Sequence, residues 1–200
     1  MLVARYPTMV HPSYRMFTVY DPTCDEPEDT EPAVRGAIGD LVGWSTGVVA
    51  VSTVLDVARV SLEVEVWDGP PGELPDAELR REHDVAFPSG RFAVDKSAED
   101  RFLRGLDLPP GPGTYRCRVL GLHRAEVRQA HEAAYAQGSG AAADRAIAAL
   151  DGRETYHVQL WQISPHPRWD DDERRPAGRG CAARCRSGTG PSRPDRSARW

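Results

Sequence analysis

The stretch Val60-Ser61-Leu62-Glu63-Val64-Glu65-Val66-Trp67 decides the fold. Val60, Leu62, Val64 and Val66 alternate with Ser61, Glu63, Glu65 and Trp67. A period of two puts successive side chains on opposite faces of a strand. One face is therefore buried, and the other is mostly wet. The strand stops at Asp68-Gly69-Pro70-Pro71-Gly72, a dense turn signal.

Other short extended runs lie on either side. Met16 to Tyr20 is a β-rich run between Pro12 and Pro22, and Val48 to Val54 is an apolar β-branched run. Asp84 to Phe87 and Arg91 to Val94 flank Pro88-Ser89-Gly90, a three-residue hairpin loop. Phe102 to Leu108 forms a further extended piece. Thr114 to Leu122 puts Tyr115, Cys117 and Val119 on one face and Arg116 and Arg118 on the other. Glu154 to Ile163 does the same with Tyr156, Val158 and Leu160. Seven or eight strands with Gly/Pro turns predict an all-β antiparallel sandwich, jelly-roll-like, with Val60, Leu62, Val64, Val66, Tyr115, Val119, Val158 and Leu160 in one core. No β-α-β alternation supports a doubly wound sheet.

Two segments depart from this pattern. His123 to Leu150 is alanine-rich and predicts a surface-lying helical insertion, about Ala125 to Ala136 and Ala141 to Leu150, split by Gly138-Ser139-Gly140. Asp21 to Pro32 carries six acids and three prolines and reads as a turn-rich acidic loop. The expected domain is 10–168, with the insertion at 123–150. Residues 169–200 read as a disordered Arg/Gly/Pro-rich tail, too poor in apolar side chains to offset the entropy of ordering.

Charge divides along the same boundary. The chain has 200 residues and a formal net charge of −5. Residues 174 to 200 carry eight Arg against one acid, and residues 1 to 173 carry 17 basic and 29 acidic groups. An acidic body disfavours specific phosphate contacts, although the basic tail suffices for weak non-specific contact with nucleic acid. The body suits a basic protein partner, because complementary fields steer association. No apolar run approaches the ~20 residues of a membrane span. The first 20 residues lack the features of a secretory signal, which points to a cytoplasmic protein with reduced thiols.

Several residue groups invite chemistry. Gly43-Trp44-Ser45-Thr46-Gly47 matches G-x-S-x-G, but a strand rather than a helix is expected after it, so a small serine hydrolase using Ser45 is an alternative only. His123, Glu126 and His131 are spaced too loosely for a zinc-binding helix. Cys181 and Cys185 lack a second ligand pair. No catalytic, cofactor or metal residue is therefore assigned, and His157, on the outer face of its strand beside Gln159, receives no role. Trp67 and Trp161 fall out of phase with the apolar residues of their own strands. With Asp25, Glu26, Glu28 and Asp29 of the acidic segment, they are the candidate contacts for a protein partner. A small-ligand site in the mouth of the sandwich is a further alternative.

The segments MFTVYD, GVVAVSTV, VSLEVEVWDGPP, HDVAFPSGRFAV, LDLPPGPGTYRCRV and ETYHVQLWQ, in that order, resemble a family of small actinobacterial β-sandwich proteins without an assigned activity. The strand layout is also similar to the competence-nuclease inhibitor family. That similarity implies a β-sandwich that binds and blocks a nuclease, and it transfers no site residue. Together these readings predict a non-enzymatic protein-binding module without cofactors, of inhibitor or immunity type.

Overall fold

The alternating stretch forms β5 (Val60–Trp67), with Val60, Leu62, Val64 and Val66 sealed from solvent. It belongs to a computed structural model that describes residues 1–24, 27–95, 103–136, 138 and 140–166. The proposed tail, 169–200, lies outside the described residues, as do Asp25 and Glu26.

Five strands make the first sheet: β1 (Leu2–Val10), β5, β6 (Leu79–Phe87), β9 (Gly113–Leu122) and β10 (Thr155–Pro165). They lie in the order β1-β5-β10-β9-β6. Five more make the second: β2 (Met16–Tyr20), β3 (Val42–Ser45), β4 (Val48–Ser52), β7 (Arg91–Val94) and β8 (Leu103–Asp107), ordered β3-β4-β2-β7-β8. All pairings are antiparallel except β5 with β10, which run parallel at the centre of the first sheet. The inward side chains of both sheets form one apolar core, from Phe17, Val19, Val49 and Phe92 on one side to Leu62, Val64, Val119 and Leu160 on the other. Edge-to-face ring pairs, Phe17 with Tyr156 and Tyr6 with Phe92, join the two layers. All eight residues expected in one core lie in it.

The sheets therefore differ from the expected wholly antiparallel, jelly-roll-like layout of seven or eight strands. Ten strands and a central parallel pair are present among the described residues, in two mostly antiparallel sheets accompanied by three helices.

The expected acidic loop is corrected in part. Asp21 opens a short turn, but Pro27–Asp40 is a helix, α1. Pro27 occupies its first position, where a missing N–H costs nothing. Pro32 forgoes one intrahelical bond. Packing compensates, because Ala33 and Ala37 are buried against Tyr20, Val48, Ala50 and Ala93 on the outer face of the second sheet. Glu28 and Asp29 in the first turn complement the helix dipole.

The insertion matches its expected place. It comprises α2 (Arg124–Ala136) and α3 (Ala141–Ala148). Val127, Ala130 and Leu150 pack on Val54, Leu55 and Ala58 at one end of the sandwich. Between β1 and β2 the chain reverses at Tyr14 and Arg15, both with positive φ (51° and 59°). Ser13 and Met16 bridge across this two-residue turn. Tyr14 projects at its tip, 89% exposed.

Candidate functional site

The outer face of the first sheet carries its densest set of interacting polar side chains. Strand register lines up Arg5 on β1, Glu65 on β5, Gln159 on β10, Arg118 on β9 and Glu82 on β6 as one row across all five strands. The adjacent rows hold Glu63 beside His157, and Trp67 beside Trp161, Arg116 and Asp84.

Glu65 is the centre of this face. It is only 3% exposed. Its Oε2 accepts from Trp67 Nε1 at 2.9 Å and Gln159 Nε2 at 3.0 Å. Its Oε1 faces His157 Nδ1 at 3.1 Å. Burial alone pushes such a carboxyl up. The hydrogen bonds from His157, Gln159 and Trp67, with the charge of His157, overcome burial and hold Glu65 at about 2. Glu63 lies alongside, with Oε2 at 3.4 Å from the same His157 nitrogen and Oε1 at 2.8 Å from Arg5 Nε.

Farther across, Arg118 is buried with its guanidinium 5.1 Å from the ring centre of Trp161. It donates to Glu82 at 3.0 Å and toward the Pro71 and Gly72 carbonyls of the turn after β5. Burial raises the Glu82 carboxyl, but the Arg118 and Arg116 bonds bring it below the ordinary value. Arg116 also pairs with Asp84.

Four of the six expected contact residues, Glu28, Asp29, Trp67 and Trp161, lie among the described residues. Trp67 and Trp161 are neighbours in register on the outer face; Trp67 is half-buried, and Trp161 is buried under Arg118. Glu28 is exposed at the start of α1 and Asp29 is half-buried. α1 covers the outer face of the second sheet, so these acids and the tryptophans lie on opposite sides of the sandwich. Ile38, on the same helix, is 71% exposed. Asp21 is a buried tie, accepting from the backbone and hydroxyl groups of both Thr23 and Ser89.

The G-x-S-x-G stretch is a hairpin between β3 and β4, so the strand-to-helix turn of a nucleophile elbow is not formed. Ser45 donates its hydroxyl to the Asp29 carbonyl at 2.5 Å. Gly43 is required by close packing: a Cβ there would overlap the Ala33 carbonyl oxygen of α1. Gly47 has φ +81° at the turn.

Two groupings were not legible in the sequence. The first is the Glu63, Glu65 and His157 cluster, the one three-ligand group of metal-binding side chains among the described residues. His123 and Glu126 remain a solvent-exposed pair at 3.8 Å. The second is a buried network at the end of the sandwich. Arg124, at the start of α2, donates to Ser52 O at 2.8 Å, to Glu154 Oε1 at 3.2 Å and to the Tyr156 hydroxyl. Glu154 also accepts from Val54 N at 3.0 Å and from the Tyr156 hydroxyl at 2.5 Å. Burial pushes the Glu154 carboxyl up, despite these donors. This network fastens the helical insertion to the body.

No protein-family model and no curated relative matches the sequence. Two solved structures are similar to it, the first at the level of a shared fold. One is ComJ from Bacillus subtilis, inhibitor of the DNA degrading activity of NucA: 12% identity over 82% of this chain and 99% of that chain, with a TM-score of 0.53. The other is described as crocagin biosynthetic gene J, 17% identical over 80% of this chain and 96% of that chain, with a TM-score of 0.47. At these identities the likeness is one of fold. The similarity to the competence-nuclease inhibitor layout stands at that level, and these comparisons do not show the resemblance to a family of small actinobacterial proteins.

Proposed function

We propose that this chain is a non-enzymatic, cytoplasmic protein-binding module that inhibits a basic partner such as a nuclease. The observation that carries the reading is a fold matched over 99% of ComJ, in which the same architecture serves as an inhibitor. The acidic charge of residues 1 to 173 supports a basic partner. The exposed stripe of α1 gives that charge a place. Glu28 and Glu31 lie one turn apart, and Ile38 adds exposed apolar surface farther along the same helix. We assign partner contact to this helix, together with the preceding Asp25 and Glu26 and with Asp29. On the opposite face we assign a second contact region to the half-buried Trp67, with Trp161 lying buried beneath Arg118 as its support rather than as a direct contact.

The test is DNA degradation by NucA, and by the nucleases of the native cell extract, with the purified chain added at stoichiometric amounts. Wild type should suppress degradation. The double variant Glu28→Lys/Glu31→Lys should lose most of that effect while keeping its circular-dichroism spectrum. Absence of suppression by wild type in both reactions refutes the inhibitor reading. Equal suppression by the variant refutes the assignment to α1.

A further inference from the structure

We propose that Glu63, Glu65 and His157 form a divalent-metal site on the outer face of the first sheet, with zinc as the ion their donors suit. One oxygen of each carboxylate and one ring nitrogen of His157 lie within 4.8 Å of one another. His157 Nδ1 stands 3.1 Å from Glu65 Oε1 and 3.4 Å from Glu63 Oε2. In a tetrahedral centre with bonds of about 2.0 to 2.1 Å, neighbouring ligand atoms lie roughly 3.3 Å apart. The two edges from His157 are thus already close to those of a zinc polyhedron.

The surroundings of Glu65 are those of an oriented ligand. Its two oxygens have different environments. Gln159 and Trp67 hold Oε2, which turns Oε1 toward His157 and Glu63. Such fixing of a ligand carboxylate by neighbouring donors is a regular feature of metal sites.

Gln159 supplies an independent observation. It is 6% exposed, its amide is directed at the cluster through Nε2, and its Oε1 has no hydrogen-bond partner. Buried amide oxygens are normally satisfied. Through Nε2, Gln159 fixes the Glu65 carboxylate that the ion would use.

Charge and chemistry agree with this. Two carboxylates and a neutral imidazole carry a charge of minus two, which Arg5 now offsets in part and which a divalent ion in its place would cancel. An imidazole donor favours zinc over magnesium or calcium, which prefer oxygen ligands. Occupancy needs the Nδ1 lone pair, so the ion takes the place of a proton shared with the carboxylates. Arg5 on β1, 54% exposed, lies 2.8 Å from Glu63 Oε1 and 3.7 Å from Glu65 Oε1, so the ion displaces its guanidinium toward solvent. With Glu63 and His157 only partly buried, three protein donors leave a coordination position for water or for a group brought by a partner. The proposal stands on this cluster alone and is independent of the inhibitor reading.

The test uses the full chain, stripped with EDTA and titrated calorimetrically with zinc chloride, with magnesium chloride as comparison. One zinc per chain should bind and raise the melting temperature, and magnesium should not. Zinc binding should be lost in His157→Ala and in Glu63→Gln, two variants at partly exposed positions. Gln159→Ala should weaken it about tenfold or more. The variant Cys181→Ser/Cys185→Ser should bind zinc as wild type does. Anomalous diffraction at the zinc edge should place the ion between Glu63, Glu65 and His157. No zinc binding by wild type, retention of binding in both His157→Ala and Glu63→Gln, or loss confined to the cysteine variant would each overturn the proposal.

Discussion

Replacing Glu65 with Gln in the metal-free protein is the sharpest probe of the outer-face network. The carboxylate is nearly sealed from solvent and accepts from His157, Gln159 and Trp67. Those bonds outweigh its burial and lower it from 4.5 to about 2. A depression of that size corresponds to about 3 kcal/mol of folding stability. The direction follows from the group. An acid depressed in the folded state stabilises fully above its ordinary value and loses that contribution as pH falls from about 4.5 toward 2. Glu65→Gln keeps the shape but presents a neutral amide whose NH2 competes with three donors. It should be less stable than wild type by about 3 kcal/mol at pH 7. The gap should close on acidification to about pH 2. Urea unfolding followed by tryptophan fluorescence in the presence of EDTA, repeated across this range, gives both curves. Two parallel curves would refute the reasoning, because they would mean that the carboxylate has no special affinity for its charged form.

Other expectations are read by the same urea assay. Leu62→Ala opens a cavity in the shared core and should cost roughly 2 to 5 kcal/mol, whereas Glu63→Ala, losing a partly exposed pair with Arg5, should cost less than about 1 kcal/mol. Arg124→Met strands the buried Glu154 carboxylate and should cost about 3 to 5 kcal/mol. Adding Glu154→Gln to that variant should recover part of the loss, and a further loss would contradict the pairing. In the single Arg124→Met variant Glu154 rises further, so its stability deficit against wild type should be smallest at acidic pH and grow as pH rises above about 4.5. Tyr14→Asn with Arg15→Gly relieves two left-handed residues in a two-residue turn and should stabilise by about 1 kcal/mol. A destabilised double variant would show that Tyr14 or Arg15 makes a contact that outweighs its backbone conformation.

What was legible from the residues was periodicity. The alternation in β5 and β9 marked their inner faces, and Trp67 and Trp161 were visibly out of phase. Two elements were hidden by proline. Pro32 disguised α1, whose stability comes from Ala33 and Ala37 packing on the second sheet, a tertiary effect no local pattern carries. Pro7 disguised β1, an edge strand, one of the few settings where a strand tolerates proline. The candidate site was hidden for a different reason. Glu63, Glu65 and His157 meet only because β5 and β10 pair in parallel register, His157 opposite Glu63. Strand patterns report which face a residue occupies, and they carry no information about which distant strand lies beside it.

That central parallel pair also governs how the chain can fold. β10 must enter between β5 and β9, so Ser61 waits for Thr155 and Trp67 for Trp161. Until β10 arrives, β1–β5 and β6–β9 are two ribbons with bare backbone edges at β5 and β9. The short α2–α3 connection favours docking of β10 on β9 first, and closure against β5 last, across the longest loop in the sheet. Contacts of such separation form on the slow side of single-domain folding, milliseconds to seconds. During that interval the exposed inner edge of β5, with its run of valines, is the segment most open to pairing with a second copy, which makes refolding yield fall with rising protein concentration.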